Sequence, residues 1–100
     1  MSNNKNFDKL FSDFAEIKSK TDFICQDFCQ FIKRLGFVIR KGKGGHKVLS
    51  HPSLSDKCNF NCGHSPRDIV KRGYLIDIYN FVDAHKVKIK KYVNGAKNDI

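Results

Sequence analysis

The chain predicts an α+β domain, a small three-stranded antiparallel sheet with helices on one face. Three observations carry that reading. Ile24, Phe28, Phe31 and Leu35 step by four, three and four residues along one helical face and stop at Gly36. Phe37-Val38-Ile39 and Lys47-Val48-Leu49-Ser50 then flank Gly42-Lys43-Gly44-Gly45, which has the composition of a turn. Tyr74, Leu75, Ile78, Phe81 and Val82 restore helical spacing.

In chain order, Phe7, Leu10, Phe11, Phe14 and Ile17 predict an amphipathic N-terminal helix over residues 7–18. Ser19-Lys20-Thr21 breaks it, and Thr21 or Asp22 is placed to cap the next helix, Asp22 to Leu35. Cys25, Cys29 and Ile32 widen the apolar face of that helix, and Gly36 supplies a left-handed exit. The glycine-rich turn joins two strands into a hairpin with a loop longer than two residues. Cys58 to Cys62 is the third strand, although its asparagines are poor strand residues. Ser65-Pro66-Arg67-Asp68 is a turn or helix start, and the last helix runs from about Lys71 to near His85. Gly73 weakens its first turn by roughly 1 kcal/mol relative to alanine. Residues 86–100 form a basic tail that reads equally as a short strand, a helical extension or an unstructured segment. One hundred residues make a single domain, 1–100, with one modest core.

Nineteen Lys and Arg against ten Asp and Glu give a net charge of +9. Such a field draws polyanions, anionic membranes or acidic proteins and speeds encounter with each. No apolar run reaches membrane-spanning length, and Met1 to Lys5 lacks the apolar stretch of a secretory signal. The expectation is a cytoplasmic protein with no membrane partner, its four cysteines reduced. No P-loop, dinucleotide fingerprint or Ser-His-Asp spacing is present. Asp68, Asp77 and Asp83 read as helix-surface residues rather than an acid–base pair.

The segment around the hairpin carries the functional signal. Leu35-Gly36-Phe37, a basic stretch, and Gly44-Gly45-His46-Lys47-Val48-Leu49 resemble the HicA toxins of prokaryotic toxin–antitoxin systems. Cys58 to His64 resembles their third strand with its following histidine, and Lys71-Arg72-Gly73-Tyr74-Leu75 with Ile78 the start of their last helix. The likeness covers about residues 22–85, and Phe7 to Ile17 resembles the extra N-terminal helix of longer members. It implies a double-stranded-RNA-binding-domain-like α-β-β-β-α fold. It also implies mRNA cleavage by one catalytic histidine, with no metal or other cofactor, and neutralisation by a HicB-like antitoxin protein. Two positions depart from the pattern: Gly45 stands where the family has serine, and Lys47 where many members have a second histidine.

The residues suit that chemistry. RNA carries its own nucleophile, so an enzyme need only take the 2′-hydroxyl proton, align the oxygen on phosphorus and stabilise the developing charge. Histidine titrates near neutral pH and fits the first task, which makes His46 the candidate general base. Arg40, Lys41, Lys43 and Lys47 are candidate RNA-binding cations, with Gly44 and Gly45 offering backbone N–H groups at close approach to a phosphate. Lys47, His51 and His64 are the candidates for general acid; His64 is the accessory histidine to test. His51, before Pro52, otherwise reads as a turn residue, and His85 as a helix C-terminal residue.

Two other readings stand beside this one. A non-catalytic RNA-binding module would use the same cations without the histidine. A zinc-stabilised interaction domain would need Cys25 and Cys29, one helical turn apart, to meet Cys58 and Cys62. The bland reading of those cysteines is four small, buried apolar side chains. A Cys58–Cys62 disulfide is disfavoured in an extended strand, where four residues span about 13 Å.

Overall fold

The computed structural model describes residues 6–63, 65 and 67–95. It is an α+β domain of four helices and a three-stranded antiparallel sheet. The elements are α1 (Phe7–Ile17), α2 (Cys25–Arg34), β1 (Val38–Lys41), β2 (His46–Ser50), β3 (Cys58–Asn61), α3 (Arg72–Ala84) and α4 (Lys86–Gly95). No helix among the described residues is long and apolar enough to cross a membrane.

The sheet runs β1-β2-β3, with β2 in the centre. Its register pairs Val38 with Ser50 and Arg40 with Val48 on one side, and Lys47 with Phe60 and Leu49 with Cys58 on the other. Side chains alternate across a strand, so Leu49 and Phe60 share one face, where both are completely buried. Phe28 of α2 meets Phe60 edge-on at 5.3 Å, and Phe14 of α1 meets Phe28 and Phe31 edge-on at 5.9 and 5.3 Å. This aromatic chain ties α1 to α2 and α2 to the sheet. The other sheet face carries Val38, Arg40, His46, Val48, Ser50, Asn59 and Asn61, none of them buried.

Helix ends explain how the layers are fixed. Asn6 caps α1, its side-chain oxygen accepting the Asp8 N–H at 2.7 Å. At the end of α2, Gly36 has φ +100°, its N–H donates to the Lys33 carbonyl at 2.9 Å, and the Phe37 N–H donates to the Ile32 carbonyl at 3.4 Å. That pair of bonds is the Schellman arrangement, and it turns the chain directly into β1. A side chain at Gly36 would also run into Tyr92 of α4 and His51. The start of α2 differs from the expected cap. Ile24, not Thr21 or Asp22, is the N-cap, and no side chain bonds there. Instead the Cys25 N–H donates to the Asp68 carbonyl at 2.7 Å and the Val70 N–H to the Phe23 carbonyl at 2.9 Å, around an Ile24–Ile69 bridge. A distant backbone carbonyl therefore does the work of a local cap. Asp68 accordingly lies ahead of α3 rather than on its surface, its carboxylate accepting the Ser65 N–H at 3.1 Å.

The basic tail resolves as a helical extension through residue 95; residues 96–100 lie outside the described residues. Ile89 is fully buried and Val93 nearly so, packed toward α1, while Lys88 and Lys91 face solvent. The Phe7 N–H donates to Asn94 Oδ1 at 3.0 Å, and Lys90 pairs with Asp8 at 3.2 Å. The segment is thus part of the core and not only a charged appendage.

The cysteines differ from the reduced set expected. The structure joins Cys25 of α2 to Cys62 after β3, with Cα atoms 5.8 Å apart. Cys29 and Cys58 stay free and half-buried. Two of the four thiolates a zinc site would need are therefore used, because α2 packs its N-terminal turn directly on the end of β3.

His51 opens the turn expected of it, its carbonyl accepting the Leu54 N–H at 3.0 Å. Its side chain, however, is 3% exposed, the one buried polar side chain among the described residues. Its Nδ1 accepts the Ser53 N–H at 3.1 Å, so the proton sits on Nε2, which donates to the Leu35 carbonyl at 2.9 Å. Phe37 and Tyr92 each approach the imidazole edge-on at 4.9 Å. Burial pushes its titration below the usual histidine range, opposed by the bond to the Leu35 carbonyl. The neutral ring thus satisfies an orphan carbonyl at the end of α2.

Two outcomes follow for stability. With the folded value below the unfolded one of about 6.5, the unfolded chain takes up the proton first as pH falls. The His51 contribution is then whole above about pH 6.5 and shrinks as pH drops toward the folded value. The melting temperature of the parent should therefore fall between pH 7 and pH 5. His51→Asn should lower stability at pH 7 by about 1–3 kcal/mol and flatten that pH slope, both read from thermal unfolding monitored by circular dichroism. Ile89→Ala should cost about 2–5 kcal/mol in denaturant unfolding if α4 belongs to the core, and close to nothing if it does not.

Candidate nucleic-acid interface

His46 is the first residue of β2, at the lip of the glycine–lysine turn. Its N–H donates to the Lys43 carbonyl at 3.1 Å, and its own carbonyl accepts the Gly42 N–H at 2.8 Å. The backbone is therefore held at both poles, and the half-buried imidazole leans across Gly42 on the open face of the sheet. Asn61 stands directly opposite it on β3, with Asn59 one pleat further along. Arg40 is the next residue of β1 on the same face. Asn61 Oδ1 accepts the Gly63 N–H at 3.0 Å, which leaves its amide N–H groups to donate outward. The open face carries no carboxylate among the described residues.

The cations predicted as one RNA-binding group are divided by the pleat. Arg40 shares the face of His46. Lys41 and Lys47 pair with each other across β1 and β2 and point to the helix side. There they join Lys33 of α2 around a hollow of about 390 Å³ that also holds Gln26, Gln30 and Cys29. Burial pushes the Cys29 thiol up, while Lys47, Lys33 and Lys41 pull it down. Lys43 is exposed in the turn beside Gly44. Lys33 was not singled out from sequence, although it falls one helical turn after Cys29 on the same stripe.

Gly45 has a structural role. It is buried, its carbonyl accepts the Cys62 N–H at 3.2 Å, and any Cβ at this position would collide with the Gly63 backbone. The turn and the end of β3 touch backbone to backbone. The serine expected from the resemblance has no room here, so a phosphate at this turn would meet backbone N–H groups and Lys43 rather than a serine hydroxyl.

A second hollow, about 660 Å³, opens at the end of β3 beside Asn61. Arg67, Lys71 and Tyr74 line it, together with the Asp68 carboxylate. It places two cations and an aromatic ring next to a neighbour of His46, a combination that accepts a phosphate and a stacked base. Of the other histidines, His64 lies outside the described residues. His85 caps the C-terminal end of α3, its ring tilted against Phe81 at 4.6 Å and 3.7 Å from the Asp56 carboxylate. The lysines of α4 are partly neutralised, Lys86 by Asp83 at 3.4 Å and Lys90 by Asp8.

No protein-family model matches this chain, and no significant match exists among curated proteins or solved structures.

Gly45→Ala should destabilise the protein by about 1–3 kcal/mol and Gly45→Ser by at least as much, read as a drop in urea midpoint. A neutral Gly45→Ser would remove the close approach to Gly63 as the reason for glycine here.

Proposed function

We propose that the protein is an RNA-cleaving toxin of the HicA type, acting on mRNA through His46 and held inactive by a HicB-like acidic antitoxin. The observation that carries this reading is the setting of His46. It stands on an uncovered sheet face beside Arg40, Asn59 and Asn61, with donors and a cation around it and no negative charge among the described residues. The motifs Leu35-Gly36-Phe37 and Gly44-Gly45-His46-Lys47 support it by resemblance.

In this mechanism His46 takes the proton from a 2′-hydroxyl, and the freed oxygen attacks the adjacent phosphorus. The bond to the 5′ oxygen breaks, leaving a 2′,3′-cyclic phosphate and a 5′-hydroxyl. Arg40 and the asparagine amides stabilise the charge on the phosphoryl oxygens. Lys47 faces away from His46 and His51 is buried on both ring nitrogens, so neither serves as general acid. Solvent, which reaches this open face, supplies the proton to the leaving oxygen. The substrate provides the nucleophile, and no metal takes part.

One observation favours a second reading, a non-catalytic RNA-binding module: the packing at Gly45 leaves no place for the serine of the family pattern. A single experiment separates the two. Purified protein is incubated with single-stranded RNA in a chelator, and the ends are mapped. The parent should yield cyclic-phosphate termini, and His46→Ala should cleave about 10²–10⁴-fold more slowly while binding RNA normally. Binding without cleavage by the parent would establish the module, and equal cleavage by both would remove His46 from the reaction.

A further inference from the structure

The hollow on the helix side of the hairpin is a site in its own right. Lys33 from α2, Lys41 from β1 and Lys47 from β2 reach it from three separate elements. None of the three belongs to an ion pair among the described residues, and no carboxylate lines the hollow. Lys9, Lys86 and Lys90 do have carboxylate partners, at Asp13, Asp83 and Asp8. Three ammonium groups around one space repel each other, and the repulsion is relieved when an anion enters between them. Gln26 and Gln30, one turn apart on α2, add amide donors at the same rim. Cys29 lies on the α2 wall of the same hollow, which all three lysines line with it.

We infer that this hollow binds a phosphate group, held by Lys33, Lys41 and Lys47 on the sheet face opposite His46. The lining favours phosphate over an acidic peptide: five donor side chains, Lys33, Lys41, Lys47, Gln26 and Gln30, surround one small hollow, as a compact anion with several oxygens requires, and Cys25 and Cys29 form its apolar wall. The phosphate comes either from an RNA strand or from a small free phosphate ligand. The inference is independent of cleavage at His46, because the two groups face opposite sides of the sheet.

Cys29 provides the reporter. In a Cys58→Ser background it is the single free thiol among the described residues. Inorganic phosphate, compared with chloride at equal ionic strength, should slow its labelling by an anionic disulfide reagent. The slowing should be roughly tenfold once phosphate stands about ten times above its dissociation constant. A short single-stranded RNA in place of phosphate distinguishes the sources: protection by both assigns a strand phosphate, protection by phosphate alone a free ligand. In parallel, Lys33→Gln/Lys41→Gln/Lys47→Gln should lose phosphate binding in calorimetry. If RNA is the source, its slope of log affinity against log salt should shrink by about 2. Lys88→Gln/Lys91→Gln on α4 should leave phosphate binding as in the parent. The inference is overturned if phosphate leaves Cys29 labelling unchanged, if the triple variant binds phosphate like the parent, or if polyglutamate protects Cys29 where phosphate does not.

Discussion

The pleat of β2 governs the rest of this molecule. Leu49 must sit in the core, between Ile39 on β1 and Cys58 on β3, and it is wholly buried there. Period-two alternation then leaves no freedom to the residues before it: Lys47 goes to the helix side and His46 to the open side. A slip of one residue would exchange them and expel Leu49 from the core. The backbone contact of Gly45 with Gly63 and the bond from Cys62 to Gly45 lock the same register from the turn end. One hydrophobic side chain and one glycine thus decide which chemistry each face of the sheet can present.

Much of the architecture is legible in the sequence because it is local. The stripe of α2, its glycine exit and the glycine-rich hairpin are all written within a few residues of where they act. What escapes is non-local. The start of α2 is capped by the Asp68 carbonyl, which no neighbouring residue announces. The disulfide joins residues 37 apart and depends on how α2 docks against β3. Residues 86–95 alternate lysine with apolar side chains, a strand-like period, yet become a helix because Ile89 and Val93 find α1. The candidate site follows the same rule. His46 and its turn can be read directly, but the division of its cations between two faces needs the register, and the part of Lys33 needs the docking of α2.

The charge of the chain is also sorted in space. The ion pairs among the described residues involve Asp8, Asp13, Asp56 and Asp83, on α1, α3 and the β2–β3 connection. The hairpin end carries Arg40, Lys41, Lys43 and Lys47 with no such partner. Within a chain of net charge +9 the turn end is thus a local excess of unneutralised cations, and it attracts a polyanion. This asymmetry is common to both proposed sites, which lie on the two sides of that end.

The docking of α1 on α4 has a consequence for how the chain is made. The Phe7 N–H finds its acceptor on Asn94, 87 residues later, and the buried face of α1 packs beside Ile89 and Val93. During synthesis, α1 leaves the ribosome long before its partner exists. Phe14 can already meet Phe28 and Phe31 of α2, but the Phe7 end of the apolar stripe waits for α4. The nascent chain thus carries a helix whose first turn gains its cover, and its backbone acceptor, only when α4 has been made.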